Sequence, residues 1–335
     1  MEQVLIGRLK SVQFGEVQCH RNIVILPMLA DDGTFQYRTL GEGLASGDVS
    51  ITEVSKAGSV PELMATNRGK LPVLLLDGEE LVGAKQNRVL NTSILLRELS
   101  ETRVPVSCTE RGRWSYVSNS FAESGNVMAH KVRVSKLMSV SDSLQELGSP
   151  RSDQVHVWHD IALLHHMAGC DSTTSAIDDV FRARQSDLQR ALESFRCVQR
   201  QVGLFVFVES DPVGFDLLSL SSAYSKVHPK LVRSYAIESL IRQRPTAPTP
   251  PAHDVVGLAA SFLGEILTTK EDQFPSVGYG VDCRYQANSL AGSALVHANE
   301  VIHAAFFRVD AGRESPAGGM VSPRIRCQYR RHGQS

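Results

Sequence analysis

The run Lys85-Gln86-Asn87-Arg88 is the most concentrated group of long polar side chains in the sequence. The two cations can hold an anion, because a guanidinium grips a phosphate through two parallel hydrogen bonds. The two amides can donate and accept, so they could bind the hydroxyls of a sugar or the edge of a base. This mixture predicts a site for a small anionic, hydroxyl-bearing ligand such as a nucleotide. The alternative is a solvated loop with a few surface salt bridges.

A second polar stretch, at 108–114, places Glu110 beside Arg113 and Trp114. A tryptophan next to an arginine can stack on a planar base or sugar. If this stretch lies beside the first, Glu110 and Glu79 could form a carboxylate pair. Such a pair could perform acid–base hydrolysis or hold a divalent metal ion through oxygen ligands. The alternative is a tryptophan that seals a sheet edge, with its flanking charges in water.

Three further candidates come from the C-terminal part. Asp282 and Arg284 alternate with apolar residues, so both charges face the same side of a predicted strand and could pair with each other. The glycines at 278 and 280 permit close approach of a ligand or a neighbouring backbone. His303 falls on a neighbouring predicted strand, and nothing in the sequence alone shows that it meets Asp282.

Four histidines are concentrated in one short stretch, at positions 156, 159, 165 and 166. If the stretch is one helix, His159 and His166 share a face. Their spacing differs from the zinc motif with two histidines four residues apart, and no glutamate stands between them as a base. Surface or partly buried histidines are therefore the favoured interpretation.

The overall composition excludes several classes of protein. The 335 residues carry a formal net charge of -1, with 42% hydrophobic and 21% charged residues, which is typical of a globular chain and gives no strong nucleic-acid signal. The six scattered cysteines predict reduced thiols. No signal peptide or membrane-spanning run is visible, so we expect a cytoplasmic protein with no membrane association. A Walker phosphate loop, a Gly-x-Ser-x-Gly elbow and a dinucleotide fingerprint are absent.

The elements that must position these residues change in type along the chain. Apolar runs at 22–29, 49–54, 71–76, 80–83, 89–96 and 103–108 predict short strands, with an Asp77-Gly78 hairpin between two of them. Helical periodicity follows at 178–202, 229–240 and 254–267, with a buried strand at 204–208. Closing strands are predicted at 276–285, 294–298 and 301–308. The fold class is therefore α+β, with an antiparallel, β-rich and sandwich-like N-terminal half.

We expect one domain over residues 1–310, with a β-rich subregion at 1–117 and a mixed α/β subregion at 154–308. Residues 118–153 are rich in Ser, Asn, Asp and Gly, which predicts a loop-rich connection with one further strand at 132–140. The proline-rich segment 244–251 predicts an extended connector, and residues 311–335 predict a disordered tail.

Several of these segments together resemble a known prokaryotic family, the ARG and rhodanese-phosphatase-superfamily-associated protein domain. The longest is 74–88, which ends in Lys85-Gln86-Asn87-Arg88, and Asn91-Thr92-Ser93 follows it. The others are 47–54, 58–63, 105–108, 110–114, 278–280, 282–284 and 292–295, together with His303. The resemblance runs from about residue 15 to residue 308, nearly the whole chain.

The resemblance implies a link to ADP-ribose or NAD-derived metabolites, because the family is named for neighbouring ADP-ribosylglycohydrolases and rhodanese or phosphatase-like domains. No settled activity comes with it. The motif positions that it transfers are Glu79, Gly83, Lys85, Gln86, Asn87, Arg88, Asn91, Ser93, Glu110, Arg113 and Trp114.

Two hypotheses follow. In the first, the chain is a ligand-binding protein or a hydrolase-like enzyme for a nucleotide-like or ADP-ribose- or NAD-derived anion. Glu79 or Glu110 is then the candidate general base, and a divalent metal is the candidate cofactor. In the second, it is a non-enzymatic interaction or scaffold module that uses Trp114 and the arginines to anchor a protein partner. Convergence of the two polar stretches on one hollow favours the first, and a flat face favours the second.

Overall fold

The computed structural model describes residues 2–55, 58–59, 61–242 and 252–309. Its helices are α1 (Glu2–Ser11), α2 (Leu40–Ser46), α3 (His130–Leu147), α4 (Gln154–Ala168), α5 (Ile177–Ala183), α6 (Gln185–Ser194), α7 (Ser221–Arg242) and α8 (Ala252–Ile266). The predicted connector at 244–251 and the predicted tail at 311–335 lie outside the described residues.

The strands fall into an N-terminal and a C-terminal series. The N-terminal strands are β1 (Gln13–Phe14), β2 (Gln18–His20), β3 (Ile23–Leu29), β4 (Arg38–Thr39), β5 (Val49–Glu53), β6 (Glu62–Asn67), β7 (Val73–Leu75), β8 (Glu79–Gly83), β9 (Arg88–Leu90), β10 (Ile94–Leu96), β11 (Ser100–Cys108) and β12 (Phe121–Val127). The C-terminal strands are β13 (Gln201–Val208), β14 (Asp211–Leu218), β15 (Glu271–Pro275), β16 (Val281–Ala287), β17 (Leu290–His297) and β18 (Glu300–Arg308).

The largest sheet joins the two ends of the chain. Its nine strands run in the order β1-β3-β13-β14-β18-β17-β16-β15, with β2 also paired to β3, and all of the pairs are antiparallel. The central strands are almost completely buried, because helices cover both faces. On one face the sheet packs with α1 and α8, and on the other with α3 and α7, against which α4 packs in turn.

The N-terminal half forms two smaller sheets. One has six antiparallel strands in the order β12-β8-β9-β11-β6-β5, and the other has three in the order β10-β7-β4, where β4 and β7 are parallel. Their apolar side chains pack together in a core of their own. The predicted α+β class with a β-rich N-terminal half is therefore confirmed.

The predicted hairpin at Asp77-Gly78 is wrong. The strand before this pair, β7, hydrogen-bonds to β10 and β4, whereas the strand after it, β8, belongs to the six-stranded sheet. The turn therefore passes the chain from one sheet to the other. Gly78 has a φ of +79°, a backbone conformation that favours glycine, and a Cβ there would make a tight 3.1 Å contact with the side chain of Arg133.

The loop and strand predicted within 118–153 are also wrong. The segment contains the strand β12 and the 18-residue helix α3. Helix α3 buries Arg133, Lys136 and several serines together with its apolar residues, so it has no continuous polar face. The amphipathic pattern that predicts a helix from sequence is consequently missing.

The predicted helix over 178–202 is divided in the structure. Arg184 leaves the helical backbone at φ −112° and ψ 17°, and its guanidinium donates to the Ala168 carbonyl at 3.2 Å. Helix α6 then ends at Ser194, before β13 begins. In the next helix, α7, Pro229 lies in the interior and not in the first turn, because the helix begins at Ser221.

Candidate functional site

The two polar stretches singled out in the sequence lie side by side. Strands β8 and β9 form a hairpin, and β11 pairs with β9 so that Cys108 lies opposite Arg88. The chain that leaves β11 therefore runs past the turn between β8 and β9. There the backbone N–H of Asn87 donates to Glu110 Oε2 at 3.0 Å, and Gln86 Nε2 donates to the Glu110 carbonyl. We call Glu53, Lys85–Arg88 and Glu110–Trp114 the hairpin-end cluster.

Arg113 holds this turn in shape. Its guanidinium forms a 2.6 Å salt bridge with Glu110, donates to the Ala84 carbonyl at 2.8 Å, and donates to Asn87 Oδ1 at 3.0 Å. Although burial opposes ionisation of Glu110, the hydrogen bonds from Arg113 and the Asn87 backbone lower the pKa of its carboxyl. Glu110 is thus held as an anion that organises the turn.

Beneath this turn lies a buried charge pair whose hydrogen bonds are incomplete. The Arg88 side chain has no exposed surface, and the Glu53 side chain is 4% exposed. Arg88 Nη2 and Glu53 Oε1 are 4.0 Å apart, beyond hydrogen-bond reach. Nη1 of Arg88 donates to Gln86 and to the Cys108 sulfur, but Nε and Nη2 make no hydrogen bond within the described chain. Neither carboxylate oxygen of Glu53 accepts a hydrogen bond within the described chain.

Two half-exposed aromatic rings lie close to the Lys85 ammonium, and one of them also lies against Arg88. Trp114 is 49% exposed and Tyr116 is 48% exposed. The Lys85 ammonium is 5.3 Å from the Trp114 ring centroid and 5.1 Å from that of Tyr116, and the Arg88 guanidinium carbon is 5.5 Å from Trp114. The surface at the hairpin end therefore combines aromatic faces with positive charge.

The remaining predicted residues meet elsewhere, in a group that we call the central polar cluster. It lies between the nine-stranded sheet, α3 and the turns of the N-terminal half. Its members are Asp77, Asn91, Thr92, Ser93, Arg133, Lys136, Asp216, Asp282, Arg284 and His303, all of which are buried. The sequence-predicted Asn91, Ser93, Asp282, Arg284 and His303 are thus brought together, but apart from the hairpin-end cluster.

Ser93, His303 and Asp216 form a hydrogen-bonded chain inside the central polar cluster. Ser93 Oγ is 2.8 Å from His303 Nδ1, and His303 Nε2 is 3.2 Å from Asp216 Oδ1. Because Nε2 faces a carboxylate it carries hydrogen, so in the neutral imidazole Nδ1 accepts from the Ser93 hydroxyl. The Asp77 backbone N–H also donates to Ser93 Oγ, at 2.9 Å.

The other contacts of this cluster neutralise its charges internally. Thr92 Oγ1 donates to Asp282 at 2.8 Å and accepts from Arg284 at 2.7 Å, while Arg284 also pairs with Asp282 at 2.7 Å. Lys136 donates to Asp77 and to the Asn91 carbonyl. The predicted pairing of Asp282 with Arg284 is therefore seen, and the geometry is that of a buried ion network.

Glu79, the other predicted general base, lies in a third group. It accepts a hydrogen bond from Lys230, which also donates to Glu123, each at 2.5 Å. Glu79 and Glu110 share no hydrogen-bonding partner among the described residues. The histidines at 156–166 lie on α4, where His165 is buried against the Ala176 carbonyl at 2.9 Å.

Glu80, the residue that follows Glu79, was not singled out from the sequence, although its carboxyl is buried. Burial raises the pKa of Glu80 to about 8, and the negative charge of Asp178 adds to this rise. Asp178 lines a cavity of about 380 Å³ together with Asn126, which donates to it at 3.1 Å, and Arg182. The carboxyls of Glu80 and Asp178 are 98 positions apart, so no local pattern links them.

In the part of the chain that the structure covers, no three His, Cys, Asp or Glu side chains are grouped so as to hold a metal ion.

The fold and these clusters define an α+β protein with a buried polar centre and an aromatic, cationic surface site. The chain belongs to the family described as ARG and Rhodanese-Phosphatase-superfamily-associated Protein domain, whose model matches residues 11–307. Neither the curated proteins nor the solved structures contain a match. Among the described helices, none has the length and apolar character needed to cross a bilayer.

Proposed function

We propose that the protein binds a nucleotide-like anion, of the ADP-ribose or NAD-derived class, at the hairpin-end cluster. One observation carries the proposal: among the described residues, four buried polar atoms of Arg88 and Glu53 make no hydrogen bond, and the Arg88 guanidinium lies against the Trp114 ring. Buried polar atoms are almost always paired, and an unpaired one costs about 1–3 kcal/mol. A ligand that satisfies these atoms recovers that free energy on binding.

The available groups match the parts of a nucleotide. Nε and Nη2 of Arg88 are adjacent donors, the arrangement that suits a phosphate or another oxyanion. Lys85 adds positive charge close by, and its ammonium lies near both aromatic rings. The exposed faces of Trp114 and Tyr116 suit stacking against a base, which contributes about 1–3 kcal/mol per base.

The two amides have a different role from the one predicted. Gln86 bonds to Arg88 and to the Glu110 carbonyl, and Asn87 Oδ1 accepts from Arg113 and from the Gly83 backbone. They position the cations and leave little capacity for a ligand. Glu110 likewise anchors the turn. The cluster therefore supports binding more directly than hydrolysis, and a metal-assisted reaction is not part of this proposal.

A protein-interaction role is the second candidate. Trp114, Tyr116 and Val117 are all exposed and close together in sequence, with Val117 at 66%. Aromatic residues beside an arginine or lysine are typical anchors of protein interfaces. A ligand screen separates the candidates, because an interface anchored only on these side chains does not require the inner Arg88 and Glu53 atoms to be satisfied.

Isothermal titration calorimetry of the full chain with ADP-ribose, NAD, ADP and AMP tests the proposal. We expect binding in the micromolar range for at least one nucleotide, and a loss of about tenfold or more in Trp114→Ala, whose side chain is half exposed and can be removed without opening the core. Arg103→Gln is the matched control, since Arg103 is 64% exposed on β11 of the same sheet. Absence of heat with every nucleotide would refute the proposal.

A further inference from the structure

Glu53 is the last residue of β5. Its surroundings beside Arg88 indicate a role beyond balancing the charge of that arginine. Its side chain is 4% exposed, yet Oε1 and Oε2 both lack a hydrogen bond among the described residues. Arg88 Nη2 is 4.0 Å from Oε1, and Arg88 directs Nη1 towards Gln86 and Cys108. The carboxylate therefore presents two buried acceptors that no side chain of the described chain satisfies.

A ligand that satisfies both buried oxygens of Glu53 needs two hydrogen-bond donors. An ionised carboxylate only accepts, so the ligand group that meets Glu53 has to donate. Two neighbouring hydroxyls are the complementary arrangement, because each donates to one oxygen. A vicinal diol, such as the 2′,3′-diol of a ribose, provides such a pair on the same molecule as the phosphate that suits Arg88.

We propose that Glu53 selects ligands by the vicinal diol of a ribose, so that the site takes ribonucleotides and rejects their deoxy forms. This inference rests on the proposed nucleotide site and adds the substrate class to it. In the other acidic residue of the hairpin-end cluster, Glu110, Oε2 accepts from Arg113 and the Asn87 backbone, and the Thr174 side chain gives the carboxylate a further hydrogen bond. Among the described residues of the cluster, the two carboxylate oxygens of Glu53 are the buried side-chain acceptors that make no hydrogen bond.

Loss of one hydroxyl leaves a buried acceptor of Glu53 unpaired in the complex. Sites that are built to hydrogen-bond a hydroxyl reject analogues that lack it, because the protein group is desolvated without compensation. We therefore expect the dissociation constant to rise by about tenfold or more for a deoxy ligand, and further for a dideoxy ligand.

The test compares ADP with 2′-deoxy-ADP, 3′-deoxy-ADP and 2′,3′-dideoxy-ADP by calorimetry on the full chain. The phosphates and the base are constant across this series, so differences report on the diol alone. The expected order is ADP tightest and the dideoxy form weakest. In Glu53→Gln we expect weaker ADP binding and a smaller difference between ADP and the dideoxy form, since an amide offers only one acceptor.

Glu62→Gln is the matched control, because Glu62 is a 41% exposed residue on the neighbouring strand β6. It should leave both the affinity and the discrimination unchanged. Equal affinities for all four ligands would overturn the role of Glu53 and leave the nucleotide site standing. Absence of binding by all four, and by ADP-ribose and NAD, would overturn both. The wild-type series decides the question even if Glu53→Gln fails to fold.

Discussion

Arg133 and Asp216 form a bidentate salt bridge, with Nη–Oδ distances of 3.0 and 2.7 Å, and neither side chain has any exposed surface. Arg133 belongs to α3 and Asp216 to β14, so the salt bridge links the helix to the middle of the nine-stranded sheet. The Tyr235 hydroxyl donates to the same carboxylate at 2.8 Å. Burial opposes ionisation of Asp216, but the charge of Arg133 outweighs it and lowers the pKa of the carboxyl well below its usual range.

Asp216→Asn should destabilise the protein strongly. The substitution keeps the size of the side chain but leaves the buried Arg133 guanidinium with Asp77 alone, which is 3.8 Å from its Nε and also pairs with Lys136. Breaking a buried pair of this kind costs about 3–5 kcal/mol. The measurement is the free energy of unfolding in urea. Asp31→Asn is the control, because the Asp31–Arg200 pair is exposed and should contribute less than about 1 kcal/mol. Equal small losses in the two variants would contradict the central role of this pair.

Glu80 should make stability depend on pH. Its folded pKa of about 8 exceeds the value of an unfolded glutamate, so the folded state holds a proton that the unfolded state releases. The stabilisation of the folded state by protonated Glu80 is therefore complete below a pH of about 4.3 and is lost as pH rises towards 8. The free energy of unfolding falls with a slope of at most about 1.4 kcal/mol per pH unit.

Glu80→Gln tests this dependence, because an amide cannot ionise. Urea unfolding at pH 6, 7 and 8 should show a steeper fall for the wild type than for Glu80→Gln, with the variant the more stable of the two at pH 8. Glu62→Gln, at an exposed position, should follow the wild type. Parallel curves for wild type and Glu80→Gln would show that Glu80 does not carry the effect.

Ser93→Ala should cost stability because the hydroxyl links two buried groups. Its removal leaves the Asp77 N–H and His303 Nδ1 without their partner, and we expect a loss of about 2 kcal/mol in urea unfolding. Ser225→Ala provides the control, since Ser225 lies exposed on α7 and its hydroxyl donates to the Ser222 carbonyl of its own helix. A loss no larger than in the control would mean that solvent reaches these groups.

The sequence was informative where partners lie close along the chain or pair as neighbouring strands. Lys85–Arg88 and the stretch from Glu110 to Trp114 were both recognised from local polar composition, and they meet in the structure because each follows a strand that pairs with β9. The α+β class followed from apolar runs of strand length and later helical periodicity. These signals depend only on local spacing, which is what a single sequence records.

Elements whose polar residues are satisfied by distant partners were not predictable in this way. Arg133 and Lys136 look like solvent-facing residues of a polar segment until Asp216 and Asp77 are known to meet them, and α3 was therefore missed. The turn at Asp77 looked like a hairpin because the sequence does not show that β7 pairs with β10 and β4 and not with β8. Glu53 lies in the segment 47–54 that resembles the family, but only the structure shows that its carboxylate makes no hydrogen bond among the described residues.

Glu79→Gln decides between a structural and a catalytic or binding role for the residue that sequence patterns suggested as a base. Glu79 is buried, accepts from Lys230 at 2.5 Å, and accepts from the Leu76 N–H at 3.2 Å. Removal of its charge leaves Lys230 with Glu123 alone, so we expect stability to fall by about 2–3 kcal/mol. Nucleotide affinity should stay within about twofold of wild type, because the residue lies outside the hairpin-end cluster.

Calorimetry and urea unfolding on the same preparation measure both quantities, and Glu123→Gln is the matched control, since Glu123 binds the same ammonium from a more exposed position. That variant should lose less stability and leave affinity unchanged. A drop in affinity for Glu79→Gln with stability preserved would reverse the assignment. It would require Glu79 to contact the ligand, and the Lys230 contact would then have to open when the ligand binds.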